Sequence, residues 1–347
     1  MPHDLTEHID YITPGIKLVA PVKAPSVDSH DSLEKRKFKL PPLLKDLPIA
    51  LAALLKLPLL ELCGEAMTPD CIKALYKIPE GDKSAAGNQL GIFEDLGDHF
   101  SLLDLREFLI TLAPQIPPAT IPENRLIDGA YGHAMNPAVA GPESDLDFQI
   151  SYPIIYPQNS VLFQTDDTPT ETNYTYAGFL NNFLDAIDGS YCSYSAFGET
   201  GNSPLDPPYP DPKAGGYKKK LQCGKYKPTN VISISYGGQE PDLPMSYQRR
   251  QCNEFMKLGM QGISVFVASG DSGVGGVVNG NDNGCIRQKI FNPDFPATCP
   301  YITTVGATTL PAGGNVNKDE ETAVTRFASG GGFSNSKLIL SFHRWQT

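Results

Sequence analysis

Residues 231–268 read VISISYGGQEPDLPMSYQRRQCNEFMKLGMQGISVFVA. Val231–Tyr236 is a short run rich in β-branched residues, and Gly262–Ala268 is a second, nearly continuous apolar run. Between them Leu243–Met260 is long enough for a helix, polar on one face, with Cys252, Phe255, Met256 and Leu258 apolar. Strands that are apolar throughout are buried on both faces, and a helix joining two of them makes a parallel unit. The stretch therefore predicts an α/β fold with a mostly parallel central sheet.

Working outward, Gln89–Glu94 and Tyr301–Gly306 are predicted as further strands. Thr68-Pro69-Asp70 has an N-cap residue followed by Pro at the first helical position, so a helix is predicted over Cys71–Tyr76. Another is predicted around Leu102–Leu112. After a Pro-rich passage, Ala113–Pro142, a further helix is predicted to open at Pro142-Glu143. Tyr152–Pro212, dense in Pro, Gly, Asn and Asp, reads as a long loop region. Residues 1–45 read as a polar tail or linker.

The 347 residues are 40% hydrophobic and 19% charged, enough for a sizeable core. The net charge of −11 makes the chain a poor counterion for phosphate, so nucleic acid is not an expected partner. The Lys218-Lys219-Lys220 run sits in a Pro/Gly-rich loop and reads as solvated surface. The longest apolar run, Leu47–Cys63, is broken by Pro48, Lys56, Pro58 and Glu61, too short to span a bilayer. No membrane partner is expected, and residues 1–20 hold no long apolar core of a secretory signal.

Seven cysteines occur without Cys-x-x-Cys spacing, so zinc has little support. Three local pairs, 63/71, 192/223 and 285/299, fit disulfides of a secreted protein, with buried thiols as the alternative. The Asn173-Tyr174-Thr175 sequon points the same way.

Sites of open parallel sheets lie beyond the C-terminal ends of the strands. Two loops there stand out, Ser235-Tyr236-Gly237-Gly238 and Ser269-Gly270-Asp271-Ser272-Gly273. The second contains the Gly-Asp-Ser-Gly of chymotrypsin-like nucleophile loops, which would make Ser272 a nucleophile. That fold is all-β and needs a His base in a context absent here. No Lys follows the glycines as a phosphate loop requires, and a plain Asp-capped turn remains the alternative. The other constellation is Glu143-Ser144-Asp145-Leu146-Asp147. Glu143 and Asp147 stand at i and i+4, about 6 Å apart on one helical face, while Asp145 points elsewhere. Dipole complementation is the simple reading. The chemical one is a carboxyl pair that shares a proton and acts as a general base in acid, where a His would already be charged.

Together these motifs resemble the sedolisins, the serine-carboxyl peptidases, and most closely their fungal tripeptidyl-peptidase branch. The resemblance is carried by Glu143-x-x-x-Asp147, Val231–Gly238, Ala268–Gly273, Pro293-Asp294-Phe295-Pro296-Ala297 through Tyr301, Thr304–Thr308 and Ser329-Gly330-Gly331-Gly332-Phe333-Ser334. It implies a subtilisin-like three-layer fold and peptide-bond hydrolysis at acid pH. Residues 1–64 then correspond to a remnant of the propeptide C-terminus plus a linker, 65–335 to an incomplete catalytic domain and 336–347 to an aberrant tail. The implied catalytic residues are Glu143 as general base, Asp147 as its orienting partner and Asp271 as the oxyanion-hole acid. Ser235, Gly237, Gly238, Gly330 and Gly331 are implied to offer backbone edges to an extended peptide. Implied partners are a peptide or unfolded protein substrate and the chain's own propeptide, in a secreted setting.

The chain departs from the family at about Ser336. The family's nucleophile lies in a Gly-Thr-Ser motif, and none occurs in these 347 residues. The family's calcium lies beyond that serine, so its ligands are expected to be absent here. Loss of a nucleophile costs about 10⁶-fold in rate, so the chain is expected to be inactive as written. A non-catalytic peptide-binding descendant is the alternative, and a subtilisin-like enzyme with His133 as base a remote third.

Overall fold

The computed structural model describes residues 60, 63–64, 66–172, 178–193, 203–240, 242–274, 285–286, 290–291, 293–332 and 334. Residues 1–45, most of the apolar run before Cys63, the sequon at Asn173 and the 336–347 tail lie outside them.

Along the chain the described elements are α1 (Pro69–Tyr76), β1 (Leu90–Glu94), α2 (Leu102–Leu112), β2 (Glu123–Leu126), α3 (Pro142–Ile155), β3 (Ser160–Gln164), α4 (Thr168–Glu171), α5 (Phe179–Ile187) and α6 (Gly189–Ser193). They continue with β4 (Val231–Ile234), β5 (Gly238–Gln239), α7 (Met245–Met260), β6 (Ser264–Ala268), β7 (Cys285–Ile286), β8 (Ile290–Phe291), β9 (Asp294–Phe295), β10 (Thr303–Val305), β11 (Thr308–Thr309) and β12 (Thr322–Ala323). Local chemistry sets the helix starts. Thr68 accepts the Cys71 amide at 3.3 Å and Pro69 follows it; Ser101 accepts the Asp104 amide at 3.1 Å.

Six strands form one parallel sheet in the order β10-β6-β4-β1-β3-β2. The α/β expectation is met, with two corrections. The 152–212 stretch is not one long loop: β3 lies inside it, entirely buried, next to β1. The Pro-rich passage before Pro142 likewise holds β2, the polar edge strand.

One sheet face buries Phe93, Phe163, Ile232, Ile234, Val265 and Val267 in a core shared with α5 and α7. On the other face, Ile92 and Leu162 pack with Leu105 and Leu109 of α2 and with Phe148 and Tyr152 of α3. These two helices cover only the half over β1 and β3. Along β6 burial alternates, and Ser264, Phe266 and Ala268 are exposed on this second face. Thr303 and Val305 of β10 continue the open surface.

Disulfides join Cys63 to Cys71 and Cys192 to Cys223, as two of the local pairs predicted. The third expectation is corrected. Cys299 bonds Cys252 of α7, across 47 residues, and not Cys285. Cys252 faces the core that also receives Cys299, and proximity in space outweighs proximity in sequence. Closing a loop of this length stabilises by roughly 4 kcal/mol in the chain-entropy account. Cys252→Ala is therefore expected to lower stability by about 2–4 kcal/mol, read by denaturant unfolding. Non-reducing proteolysis should release one peptide pair containing Cys252 and Cys299; a Cys285–Cys299 pair would refute the assignment.

Candidate functional site

Helix α3 begins at Gly141, which has no side chain to cap the helix. Asp98 takes that place: its Oδ1 accepts the Ser144 amide at 3.4 Å. A Cβ on Gly141 would fall 1.2 Å from the same oxygen, so only glycine allows the approach. The Gly141 amide donates to the His99 carbonyl at 2.8 Å. The loop after β1 thus fixes where α3 starts, and with it Glu143 and Asp147.

One turn into α3, Asp147 Oδ2 accepts a 2.7 Å hydrogen bond from Ser235 Oγ, just beyond β4. Burial pushes the Asp147 carboxyl up to about 7; the Ser235 hydrogen bond opposes the rise, and the charges of Glu143 and Asp98 add to it. Glu143, one helical turn before Asp147 on α3, is near enough for its charge to act on that carboxyl. Asp145 does point elsewhere and accepts the Ser101 amide at 2.7 Å.

Two further groups join this cluster. Glu94, the fully buried last residue of β1, accepts a 2.7 Å hydrogen bond from the Tyr236 hydroxyl. Burial first, and Asp147 second, hold the Glu94 carboxyl well above the usual range. Neither residue was singled out in the sequence as a site group. The signal was there: an acid ends an otherwise apolar strand, and Tyr236 lies inside the Ser-Tyr-Gly-Gly motif.

Asp271 stands elsewhere on the same sheet edge. It is exposed, in the loop that leaves β6, and β6 neighbours β4. Ser272 bridges to Ala328, and the Gly330 and Gly331 amides donate to the carbonyls of Gly270 and Gly273 at 2.7 and 3.1 Å. A Cβ on Gly330 would meet the Ser269 carbonyl at 1.6 Å. The amides of Gly330 and Gly331 are thus engaged by this loop. Gly238 pairs with Phe295 across the β5–β9 ladder, which occupies one of its edges. Between these segments lies a cleft of about 410 Å³, lined by Ser269, Pro293, Asp294, Ala297, Thr304 and Gly330 among others. His133 lies against Phe100.

Among the described residues no group of three or more His, Cys, Asp or Glu side chains is arranged to hold a metal ion. No described helix is long and apolar enough to cross a membrane.

No family model matches the chain. Among curated proteins it is 59% identical over 341 residues to tripeptidyl-peptidase sed1 of Aspergillus fumigatus, covering 96% of this chain and 51% of that protein. It is 48% identical over 346 residues to aorsin of Aspergillus oryzae, covering 96% and 52%. These close homologues are fungal peptidases of the sedolisin family. The chain spans about half the length of the curated relatives it matches. Among solved structures, a Pseudomonas sedolisin, described as a serine-carboxyl proteinase complexed with pseudo-iodotyrostatin, aligns with a TM-score of 0.49 at 20% identity, over 78% of this chain and 63% of that one.

The buried carboxyls of this chain set its response to pH. Burial raises Asp128 and Asp185 to about 8, and Asp147 and Asp166 to about 7. In the unfolded chain these groups release their protons near pH 4. Between about pH 4 and 8 the folded state therefore holds more protons, and stability falls as pH rises. The melting temperature is expected to be highest near pH 4 and roughly 10 °C or more lower at pH 8, read by scanning calorimetry. A flat or rising profile would contradict the protonated cluster. Ser235→Ala is expected to move the Asp147 titration upward from about 7, followed by carboxyl-carbon NMR.

Proposed function

We propose that the chain carries the acid–base half of a serine-carboxyl peptidase site that acts on peptides in acid and removes tripeptides from N-termini. The observation that supports this most is the contact of Asp147 with Ser235 on the helix that also bears Glu143. Glu143 takes the proton of an attacking hydroxyl, and Asp147 holds Glu143 in place and shares its proton load. Asp271 takes the oxyanion-hole role that the family resemblance assigns to it. Extended backbone from Ser235 to Gly238 and around Gly330–Gly331 guides the substrate, and the cleft beside Asp294 receives one of its side chains. The name of the A. fumigatus relative supports the tripeptidyl specificity. Three disulfides fit an oxidising, secreted setting, with the propeptide and calcium of the family as companions of the complete enzyme.

A second reading is a non-catalytic peptide-binding protein of the same fold. By that reading the chain binds peptides without cleaving them.

The two separate in one assay. The chain alone at pH 3–5 is expected to give no turnover above background. Joined to the part of the A. fumigatus relative that it does not match, it is expected to hydrolyse N-terminal tripeptide substrates. Glu143→Gln in the fusion is expected to cost at least about 10³-fold in kcat. Activity that survives Glu143→Gln would overturn the carboxylate chemistry. Peptide binding without turnover by the fusion would favour the second reading.

A further inference from the structure

One buried imidazole–carboxyl pair takes no part in the chemistry described above. His99, 1% exposed, sits in the loop after β1. Its Nε2 lies 3.2 and 3.3 Å from the two carboxyl oxygens of Glu171, which is 2% exposed at the end of α4. With Glu171 ionised, Nε2 carries hydrogen toward it. The exposed Tyr131 stacks on the imidazole, with 3.7 Å between the ring centroids. Burial raises the Glu171 carboxyl; the hydrogen bond and charge of His99 oppose the rise, and the charge of Asp167 adds to it. The charge of Glu171 in turn adds to the burial-driven rise of Asp95, Asp166 and Tyr131. A buried ionic pair adds little net stability, but it fixes one arrangement, since removing one partner strands the other.

The backbone around this ring reaches the other way. The His99 carbonyl accepts the Gly141 amide at 2.8 Å, and Asp98, the residue before it, accepts the Ser144 amide at 3.4 Å. Two residues on, the Ser101 amide donates to Asp145 at 2.7 Å. All three bonds act on the start of α3. His99 therefore joins α4 to α3, with its ring on Glu171 and its backbone on the helix that carries Glu143 and Asp147. The loop needs such a hold. It turns at Leu96 and Gly97, whose φ values of +58° and +76° put two consecutive residues in the left-handed region. Leucine adopts that conformation only at a cost, and a strained turn persists only where surrounding contacts over-determine it.

We propose that His99 and Glu171 are positioning residues of the carboxyl site: their buried pair holds the loop after β1 in the one shape that caps α3, and so sets where Glu143 and Asp147 stand. The placement of the carboxyls rests on the folded chain alone. Its consequence for turnover rests in addition on the proposed function.

The test uses the full 347-residue chain. Glu171→Gln removes the charge at nearly constant shape, and His99→Gln keeps a hydrogen-bond donor in place of the ring. In each, exchange of the Gly141 and Ser144 amides is expected to quicken at least about tenfold relative to the Ile92 amide of β1. Asp147, pushed up to about 7 by burial, is expected to lose part of that burial as α3 loosens. Its midpoint, followed by carboxyl-carbon NMR, is expected to fall by at least about 0.5 pH. The double variant is expected to show less than the sum of the two single effects. Leu258→Ala, in the core on the other sheet face, destabilises the fold without touching this loop and is expected to leave the Asp147 titration unchanged. In the unmodified chain the His99 Nε2 proton is expected as a slowly exchanging imidazole resonance, a measurement that stands even where a variant does not fold. A fast-exchanging ring proton, single variants that leave both readouts unchanged, or a Leu258→Ala shift as large as theirs would overturn the proposal. None of these readouts needs turnover, so failure of the peptidase reading leaves this result intact, and failure here leaves that reading intact.

Discussion

Carboxyl groups packed against one another in a medium of low dielectric survive only by sharing protons or collecting hydrogen bonds. That constraint governs the C-terminal edge of this sheet. Glu94 and Asp95 end β1, Asp166 and Asp167 follow β3, and Asp147 sits one turn into α3. Each finds donors: Tyr236 for Glu94, Ser235 for Asp147, the Leu96 amide for Asp95, and Asn182 and Tyr209 for Asp166. Burial raises both Asp95 and Asp166, and the charge of Asp166 adds to the rise of Asp95. Hydrogen bonds alone do not relieve the crowding, since the carboxyls of Glu94, Asp95, Asp147 and Asp166 remain above their ordinary range. Protons do the rest, and the folded state is tied to acid conditions before any reaction is considered.

The same crowding demands precise placement, and two close backbone approaches provide it. Asp98 can cap α3 only because Gly141 leaves room for it. The Gly330 segment can lie against the loop after β6 only because a side chain there would collide with the Ser269 carbonyl. One approach positions Glu143 and Asp147, the other positions the loop bearing Asp271. Both act on elements already held by the sheet, so the site inherits the rigidity of β1, β4 and β6.

Much of this was legible in the residues. The apolar runs at 231–236 and 262–268 with the helix between them gave the parallel architecture, because burial on both faces leaves an unmistakable composition. The helix starts at Thr68-Pro69 and Pro142 followed from the chemistry of helix N-termini. β3 was hidden: its five buried residues stand between Pro157-Gln158-Asn159 and Asp166-Asp167, and the turn formers outweighed a short run. β2 was hidden for the opposite reason, being a polar edge strand without alternation. Cys252 read as one more apolar residue of a helix, and its bond to Cys299 depends on how α7 packs. Glu94 and Tyr236 share a hydrogen bond because β1 and β4 are neighbours, which follows from strand order and not from spacing.

The division of labour between Glu143 and Asp147 follows from their surroundings. Two adjacent carboxyls with one proton between them can serve as a base only if the charge settles on the member that meets the substrate. Burial holds the proton on Asp147 up to about pH 7, and Glu94, itself kept protonated, sits behind it. Throughout the acid range Asp147 therefore sets no repulsive charge beside Glu143. The Ser235 hydrogen bond acts against this arrangement and limits it, keeping the Asp147 carboxyl from rising further. A histidine in place of Glu143 would be charged, and useless as a base, over the very range in which this cluster is stable. The fold's need for acid and the site's use of carboxylates are thus one consequence of the same buried acids.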